Sequence, residues 1–174
     1  MTNQKPVAII SAILQKKNKQ GEILIYLQER WKPKVSPTYS GMIEIPAGGI
    51  DGYENVYDAL KREVKEECGL DVVKVISDFQ SEIYEYNKKD KSFVFKPFVC
   101  QQVLNTNGGL PWIGFVFICE VSGIVKIDKN EARNPRWMNV AELKELIYNY
   151  PGKIFPLQLP VLEYYVENYS KDFL

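Results

Sequence analysis

Short apolar runs alternate with polar turns along most of the chain, and this pattern predicts a series of β-strands. Residues 7–14 are almost continuously apolar, and residues 22–30 follow across a polar turn, so the two runs predict a β-hairpin. A short third strand is predicted at residues 42–45. Later strands are predicted at residues 72–76, 79–86, 92–104, 112–121 and 136–138. Pro97 indicates that its strand lies at a sheet edge or contains a bulge.

One longer stretch is amphipathic, and it follows a bend rich in glycine. The glycines at 48, 49 and 52 predict a turn in which a positive φ carries no steric cost. A helix is predicted from about residue 53 to residue 68, with Gly69 in the position that usually ends a helix. Its buried stripe is predicted from apolar side chains at every fourth position, namely Val56, Leu60, Val64 and Cys68.

Two further helices are predicted near the C-terminus. Asn139 is suited to cap a helix at residues 140–148, and residues 156–169 have the pattern of a final helix. Strands on either side of one helix, followed by two more helices, predict an α/β fold with a mixed central sheet that helices cover on both faces. The length of 174 residues fits a single domain over residues 1–174.

The long predicted helix carries carboxylates on its apolar side. At about 100° per residue, Glu63 and Glu67 fall within roughly 20° of Val56, and Glu66 lies next to Glu63 further round the helix. Carboxylates this close repel one another, so the cluster needs protons, an arginine or a cation. An ordinary charged helix in which Arg62 pairs with Glu66 at i, i+4 is the alternative, but it leaves Glu63 and Glu67 unexplained.

Composition narrows the chemistry. The 22 basic and 22 acidic residues give zero net charge, so neither nucleic acid nor an anionic membrane is an expected partner. The chain has no histidine, which excludes Ser-His-Asp and Cys-His catalysis and favours oxygen ligands, and hence Mg²⁺ or Mn²⁺ over zinc. Three dispersed cysteines argue against a disulfide framework, with Cys100 and Cys119 predicted as small core residues. With no signal-peptide pattern and no apolar run of membrane-spanning length, a cytoplasmic protein is expected.

The stretch at 48–70 resembles a known signature. Gly48, five residues, Glu54, seven residues and then REVKEECGL from Arg62 to Leu70 meet every fixed position of the Nudix hydrolase box. The resemblance implies the Nudix α/β/α sandwich and an enzyme that cleaves a phosphoanhydride bond in a nucleoside diphosphate linked to another group.

The same resemblance implies roles for individual residues. Glu63, Glu66 and Glu67 correspond to the metal-binding carboxylates of the family. Glu54 corresponds to the residue that supports this cluster, and Arg62 to the one that orients a glutamate. The implied cofactor is Mg²⁺ or Mn²⁺, which bridges a diphosphate and lowers the pKa of an attacking water.

Four further residues are candidates for the site. The carbonyl of Ala47, before the signature glycine, is implied as another metal ligand. Glu131 lies in a charged loop before Trp137, where the 8-oxo-dGTP-cleaving Nudix enzymes similarly place a carboxylate, and the alternative is a solvated acid. Arg30 ends a strand that leads toward the site and is a candidate phosphate ligand, or else a surface arginine. Tyr86 is a candidate to stack on a base, with ordinary packing as its alternative.

Three functions stay open from the sequence, and the first is a Mg²⁺-dependent Nudix diphosphohydrolase. Pro46-Ala47-Gly48 resembles the turn of ADP-ribose and nucleotide-sugar pyrophosphatases, whereas Tyr86, where ADP-ribose enzymes carry a proline, is closer to the dinucleoside polyphosphate class. The others are a house-cleaning (d)NTP pyrophosphatase and a Nudix domain that senses a nucleotide without cleaving it. The expected ligand is a small nucleotide, and the sequence is compatible with a homodimer.

Overall fold

A mixed eight-stranded sheet forms the centre of the fold in the computed structural model, which describes residues 5–76, 79–107 and 109–169. The strands are β1 (Val7–Lys17), β2 (Ile23–Arg30), β3 (Ile43–Glu44), β4 (Ala47–Gly49), β5 (Asp71–Ile76), β6 (Phe79–Gln80), β7 (Tyr84–Glu85), β8 (Lys91–Ser92), β9 (Phe95–Lys96), β10 (Val99–Val103), β11 (Trp112–Ser122) and β12 (Ala132–Asn139). The main order is β10-β11-β1-β2-β12, while β3 pairs with β2, β4 with β1 and β5 with β11. Only β1 and β11 pair in parallel among these described strands.

Helices cover both faces of the sheet, as the sequence pattern predicted. The helices are α1 (Val56–Cys68), α2 (Val140–Asn149) and α3 (Leu159–Tyr164), the last continuing into a π-helical turn at Tyr165–Tyr169. Alternate side chains of β1 enter two cores: Ile10 and Leu14 pack toward α1, whereas Ile13 packs toward α2 and α3. Because the buried central strands contribute to both cores, the sheet is a rigid platform for α1. None of the helices within the described ranges is long and apolar enough to cross a membrane.

The segment between α1 and β11 differs from the prediction. In place of long strands at 79–86 and 92–104 it forms two small antiparallel pairs, β6 with β9 and β7 with β8, before β10. These strands bond to each other and not to the central sheet, so side chains such as Tyr84 and Val94 stay exposed. Pro97 lies between β9 and β10, where its missing N–H interrupts pairing. Cys100, predicted to be buried, is exposed on β10, whereas Cys119 is buried as expected.

Two element boundaries also differ. The strand predicted at 136–138 begins at Ala132, with a register shift between Arg133 and Arg136 that accommodates Asn134 at φ 50°. The final helix begins at Leu159 and not at residue 156. The N-terminal residues 1–4, which enter the prediction that a signal peptide is absent, lie outside the described residues.

Candidate active site

A glycine-to-glutamate contact joins the strand before α1 to the helix itself. Gly48 lies in β4 paired with β1, so the predicted positive φ at the glycines of the bend is wrong, and the positive φ falls on Tyr53 at 64°. A Cβ atom on Gly48 would lie 1.9 Å from Cδ of Glu63. Glycine is therefore required because the Glu63 carboxylate occupies the space of a side chain. Gly69 does adopt the left-handed conformation predicted for it, at φ 69°.

Helix α1 begins at Val56, three residues later than predicted, because Asn55 caps it. The Asn55 side chain accepts a hydrogen bond from the backbone N–H of Tyr57. The predicted stripe of α1 is buried throughout, with Val56, Leu60, Val64 and Cys68 each 4% exposed or less.

Arg62 is the hub of an ion-pair network on α1. Its guanidinium donates to Glu54 at 2.8 and 2.9 Å, to Glu63 at 2.6 Å and to Glu66 at 3.4 Å. It also donates to the carbonyl of Gly49, which ties β4 to the helix. These bonds hold the pKa of Glu54 down at about 2 and raise that of Arg62, so both stay charged at neutral pH. Arg62 thus pairs with Glu63, and the orienting role that the resemblance implies for Arg62 stays a prediction.

Glu67 points the other way, into the protein. The residue is 5% exposed, and its carboxylate accepts a 3.1 Å hydrogen bond from Nε2 of Gln28. Gln28 on β2 is the cross-strand partner of Glu44 on β3, which is also buried. Glu44 in turn accepts from Arg30 at 3.2 Å. The helical wheel therefore predicted the direction of Glu67 correctly, whereas Glu66 is 61% exposed at its side chain.

Electrostatics set Glu67 apart from the other glutamates of α1. Burial, followed by the neighbouring carboxylates of Glu44, Glu131 and Glu63, raises the pKa of Glu67 to about 8 against the opposing effect of Lys32. Burial also raises the pKa of Glu44, and Arg30 is the main group that lowers it. Several acids thus face one another where water is scarce, and a cation would relieve their mutual repulsion.

The donor set suits a hard divalent cation. The acidic side chains near this interior supply carboxylate oxygens, and the carbonyl of Ala47 lies on β4 beside Gly48. The chain holds no histidine that could supply a nitrogen ligand. In the part of the chain that the structure describes, no three Asp, Glu or Cys side chains converge as metal ligands. The physical reason is that Arg62 holds Glu63 and Glu66, which keeps both apart from Glu67 on the inner side of α1. The proposed ligand set requires Glu63 and Glu66 to leave Arg62.

A cleft of about 400 Å³ lies beside this interior. Its lining includes Trp31, Lys32, Lys34, Lys129 and Glu131. Glu131 pairs with Lys32 at 3.1 Å, and its backbone carbonyl accepts from the N–H of Trp31. Glu131 raises the pKa of Glu67, which indicates that the structure brings these two carboxylates near each other. One residue comes from a loop and the other from α1.

Of the other two predicted residues, Arg30 borders this interior through Glu44, whereas Tyr86 lies apart from it. Arg30 is engaged by Glu44 and lies over the ring of Phe155, at 5.3 Å from its centroid. Tyr86 lines a separate cleft of about 580 Å³. The side chains of that cleft are Tyr53, Tyr84, Tyr86, Lys89, Asp90, Lys91 and Ser92. Tyr53 directly precedes Glu54, so this cleft adjoins the loop that enters the predicted site.

Sequence reasoning missed two residues of the interior, Gln28 and Glu44. Glu44 stands between Ile43 and Ile45, both of which pack in the core on the opposite face of the sheet. A charged residue between two apolar ones is also the pattern of a surface strand, so alternation alone does not reveal it. The signal that could have found Glu44 is the pairing of β3 with β2, which places it against Gln28 and toward α1.

Comparison with known proteins gives the same assignment. The sequence matches the NUDIX domain over residues 5–158. It is 26% identical over 147 residues to the RNA pyrophosphohydrolase of Bartonella bacilliformis, covering 79% of this chain and 81% of that protein. The MutT protein of Methanosarcina mazei superposes with a TM-score of 0.62 at 18% identity, covering 98% of this chain and 99% of that one. The NUDIX domain of Shewanella oneidensis NrtR, solved with ADP ribose, has a TM-score of 0.62 at 12% identity, covering 98% and 90%.

The two structural matches establish the fold, and the sequence match spans most of the chain including the glutamate cluster on α1. The chain therefore belongs to the Nudix family and is a hydrolase that acts on pyrophosphate bonds.

Proposed function

We propose that this Nudix hydrolase uses Mg²⁺ or Mn²⁺ to cleave a phosphoanhydride bond in a nucleoside diphosphate linked to another group. ADP-ribose, nucleotide sugars and dinucleoside polyphosphates are substrates of this kind. The observation that carries the proposal is the buried carboxylate of Glu67, which faces Glu44 and is coupled to Glu131 and Glu63. Because the pKa of Glu67 is raised to about 8, a cation that offsets the repulsion among these acids would favour loss of its proton, which suits a ligand that arrives with a divalent cation.

The box residues singled out above, together with Ala47, each have a role in this reaction. The carboxylates of Glu63, Glu66 and Glu67 and the carbonyl of Ala47 would hold the cation. When bound, the cation neutralises charge on the diphosphate and lowers the pKa of the attacking water. Arg62, anchored by Glu54, would hold Glu63 in its present position while no cation is bound.

A second group of residues acts on the water and the phosphates. Glu131 is half-exposed at the rim of the 400 Å³ cleft and takes the proton of the attacking water. Lys32, Lys34 and Lys129 line the same cleft and would pair with phosphate oxygens. Such local cations are needed because the chain as a whole has no net charge. Arg30 acts on the site indirectly, through its ion pair with Glu44. Its guanidinium is available to a phosphate only if that ion pair opens.

The cleft that contains Tyr86 would hold the base of the group beyond the diphosphate. Tyr53, Tyr84 and Tyr86 are all exposed there, beside Lys89 and beside Lys91, which is paired with Glu85. Exposed aromatic rings beside lysines suit a base with its attached phosphate. We take this cleft as support for substrates with a second nucleoside over sugars.

Removal of pyrophosphate from the 5′ end of RNA is a second candidate function. It is favoured by the name of the Bartonella bacilliformis relative, whose identity of 26% extends over 79% of this chain. The reaction needs the same glutamates and differs only in the group to which the phosphate chain is attached. The balanced net charge disfavours long RNA, so a short 5′-triphosphorylated RNA is the appropriate test substrate.

A substrate panel tests the proposal. Wild type, Glu67→Gln and Glu145→Gln would be assayed with Mg²⁺ or Mn²⁺ on ADP-ribose, a nucleotide sugar, diadenosine tetraphosphate, 8-oxo-dGTP and 5′-triphosphorylated RNA. We expect one class to be strongly preferred and Glu67→Gln to lower kcat by about 100-fold or more. Glu145 is an exposed glutamate of α2, so Glu145→Gln should behave like wild type.

The panel also separates the alternatives. Preference for 8-oxo-dGTP would indicate a house-cleaning (d)NTP pyrophosphatase, and preference for the RNA would support the second candidate. Nucleotide binding without turnover of any substrate would indicate a sensor domain and contradict hydrolysis. Full activity of Glu67→Gln would show that the glutamate interior is not the metal site.

A further inference from the structure

Gln28 is a fully buried amide between a tyrosine hydroxyl and the carboxylate of Glu67. Its side chain is 0% exposed, and it projects from β2 toward α1. Tyr26, two residues earlier on the same strand, lies on the same face and donates its hydroxyl proton to Oε1 of Gln28 at 3.0 Å. Cys68, the last residue of α1, places its thiol 3.8 Å from the same oxygen.

These contacts fix which end of the amide faces Glu67. A tyrosine hydroxyl and a cysteine thiol each carry a hydrogen that can be donated to an amide oxygen. Since Oε1 of Gln28 is thereby occupied, Nε2 is the end that faces α1, where it donates to Glu67 at 3.1 Å. A flipped amide would set Oε1 against the carboxylate and leave the Tyr26 hydroxyl facing an N–H group.

A second acid lies beside the same amide. Glu44 is the direct cross-strand partner of Gln28 and is also buried. Tyr26, Gln28, Glu44 and Glu67 are therefore four buried polar side chains grouped between β2, β3 and α1.

We propose that Gln28 is a positioning residue: with its amide fixed by Tyr26, it holds the Glu67 carboxylate in the orientation in which that group ligates the divalent cation. The inference rests on the proposed function, because it assigns Glu67 as a metal ligand. Gln28 itself touches neither substrate nor cation. Residues that orient a metal ligand in this way usually change metal affinity or activity by about 10- to 100-fold when replaced.

The test uses the full chain and compares two buried glutamines. Gln28→Met keeps the length of the side chain and removes both hydrogen bonds. Gln15→Met is the matched control, because Gln15 is also buried and donates to a tyrosine hydroxyl, that of Tyr165, on the opposite face of the sheet. Mn²⁺ binding would be measured by the electron paramagnetic resonance signal of free Mn²⁺, together with kcat and KM at saturating Mg²⁺ and the midpoint of urea unfolding.

We expect Gln28→Met to weaken Mn²⁺ binding about 10-fold and to lower kcat, with KM for the nucleotide changed by less than about twofold. Gln15→Met should lower the unfolding midpoint to a similar extent and bind Mn²⁺ like wild type. Tyr26→Phe, which frees the amide to flip but keeps its bulk, should give an effect smaller than Gln28→Met and in the same direction.

Two results would overturn the inference alone. One is a folded Gln28→Met that binds Mn²⁺ as tightly as wild type, and the other is equal weakening by Gln15→Met, which would mark a general effect of stability. A wild type that turns over no substrate and binds no Mn²⁺ would instead overturn the proposed function, on which the inference depends.

Discussion

At the scale of single residues, Gly48 shows how one missing side chain leaves room for the carboxylate of a predicted metal ligand. The Glu63 carboxylate lies where a Cβ of residue 48 would be, at 1.9 Å. Gly48→Ala must therefore displace Glu63 or separate β4 from α1. Because a displacement of about 1 Å at a reacting group can lower a rate on the order of 100-fold, we expect kcat to fall by about that factor. Steady-state kinetics at saturating Mg²⁺ would measure it.

Gly49 provides the control for this substitution. It is the next residue of β4, and a Cβ there would meet nothing within 4 Å. Gly49→Ala should retain activity close to wild type. If Gly48→Ala did the same, the close approach of Glu63 to β4 would not matter for the reaction.

These residues also mark how far sequence reasoning reaches. The wheel position of Glu67 was predictable, because helical geometry is local and regular. The glycine at 48 was predicted for the wrong reason, since its requirement comes from Glu63, 15 positions later in the chain. Glu44 was missed because its burial depends on the partner strand and not on its neighbours in sequence.

At the scale of elements, α1 is the only described helix whose side chains were predicted as metal ligands, and its start is set by a single cap. The Asn55 side chain accepts from the backbone N–H of Tyr57 at 2.9 Å. Asn139 caps α2 in the same way, within a reciprocal capping box with Glu142. Alanine at either cap should lower the free energy of unfolding by about 1 kcal/mol. Only Asn55→Ala should also lower kcat, because fraying of α1 loosens the loop that carries Glu54.

Chemical denaturation and kinetics on Asn55→Ala and Asn139→Ala would check this pair. Equal losses of activity in both variants would contradict a special role for the start of α1. The cap itself was not predicted from the sequence, which placed the helix start near residue 53. The reason is that Tyr53 takes a positive φ in the turn before the cap, an unusual conformation for a tyrosine.

At the scale of the whole molecule, the core behind the sheet is connected to the site on its front. The alternation of β-strands and the three helices predicted this two-faced architecture, but not the contacts that cross between layers. Ile43 and Ile45 pack toward α2 and α3, while Glu44 between them faces α1. The backbone of Ile45 is held by Gln158, which accepts from its N–H at 2.8 Å and donates to its carbonyl at 2.9 Å. The C-terminal helical layer thereby fixes the strand that carries Glu44.

Gln158 is the residue through which this connection can be broken. Gln158→Met removes the hydrogen bonds to the backbone N–H and to the backbone carbonyl of buried Ile45, which should lower the free energy of unfolding by about 1–3 kcal/mol. It should also lower kcat severalfold, since β3 is then free to shift Glu44 relative to Glu67, and it should speed hydrogen exchange at the Ile45 amide. Gln15→Met removes a buried hydrogen bond to Tyr165 in the same core but leaves β3 untouched, so it should lower stability without either effect. Wild-type exchange at Ile45 in Gln158→Met would show that Gln158 is not needed to hold β3, and that its pairing with β2 and the contacts of Ile43 with Ile154 and Phe155 are sufficient.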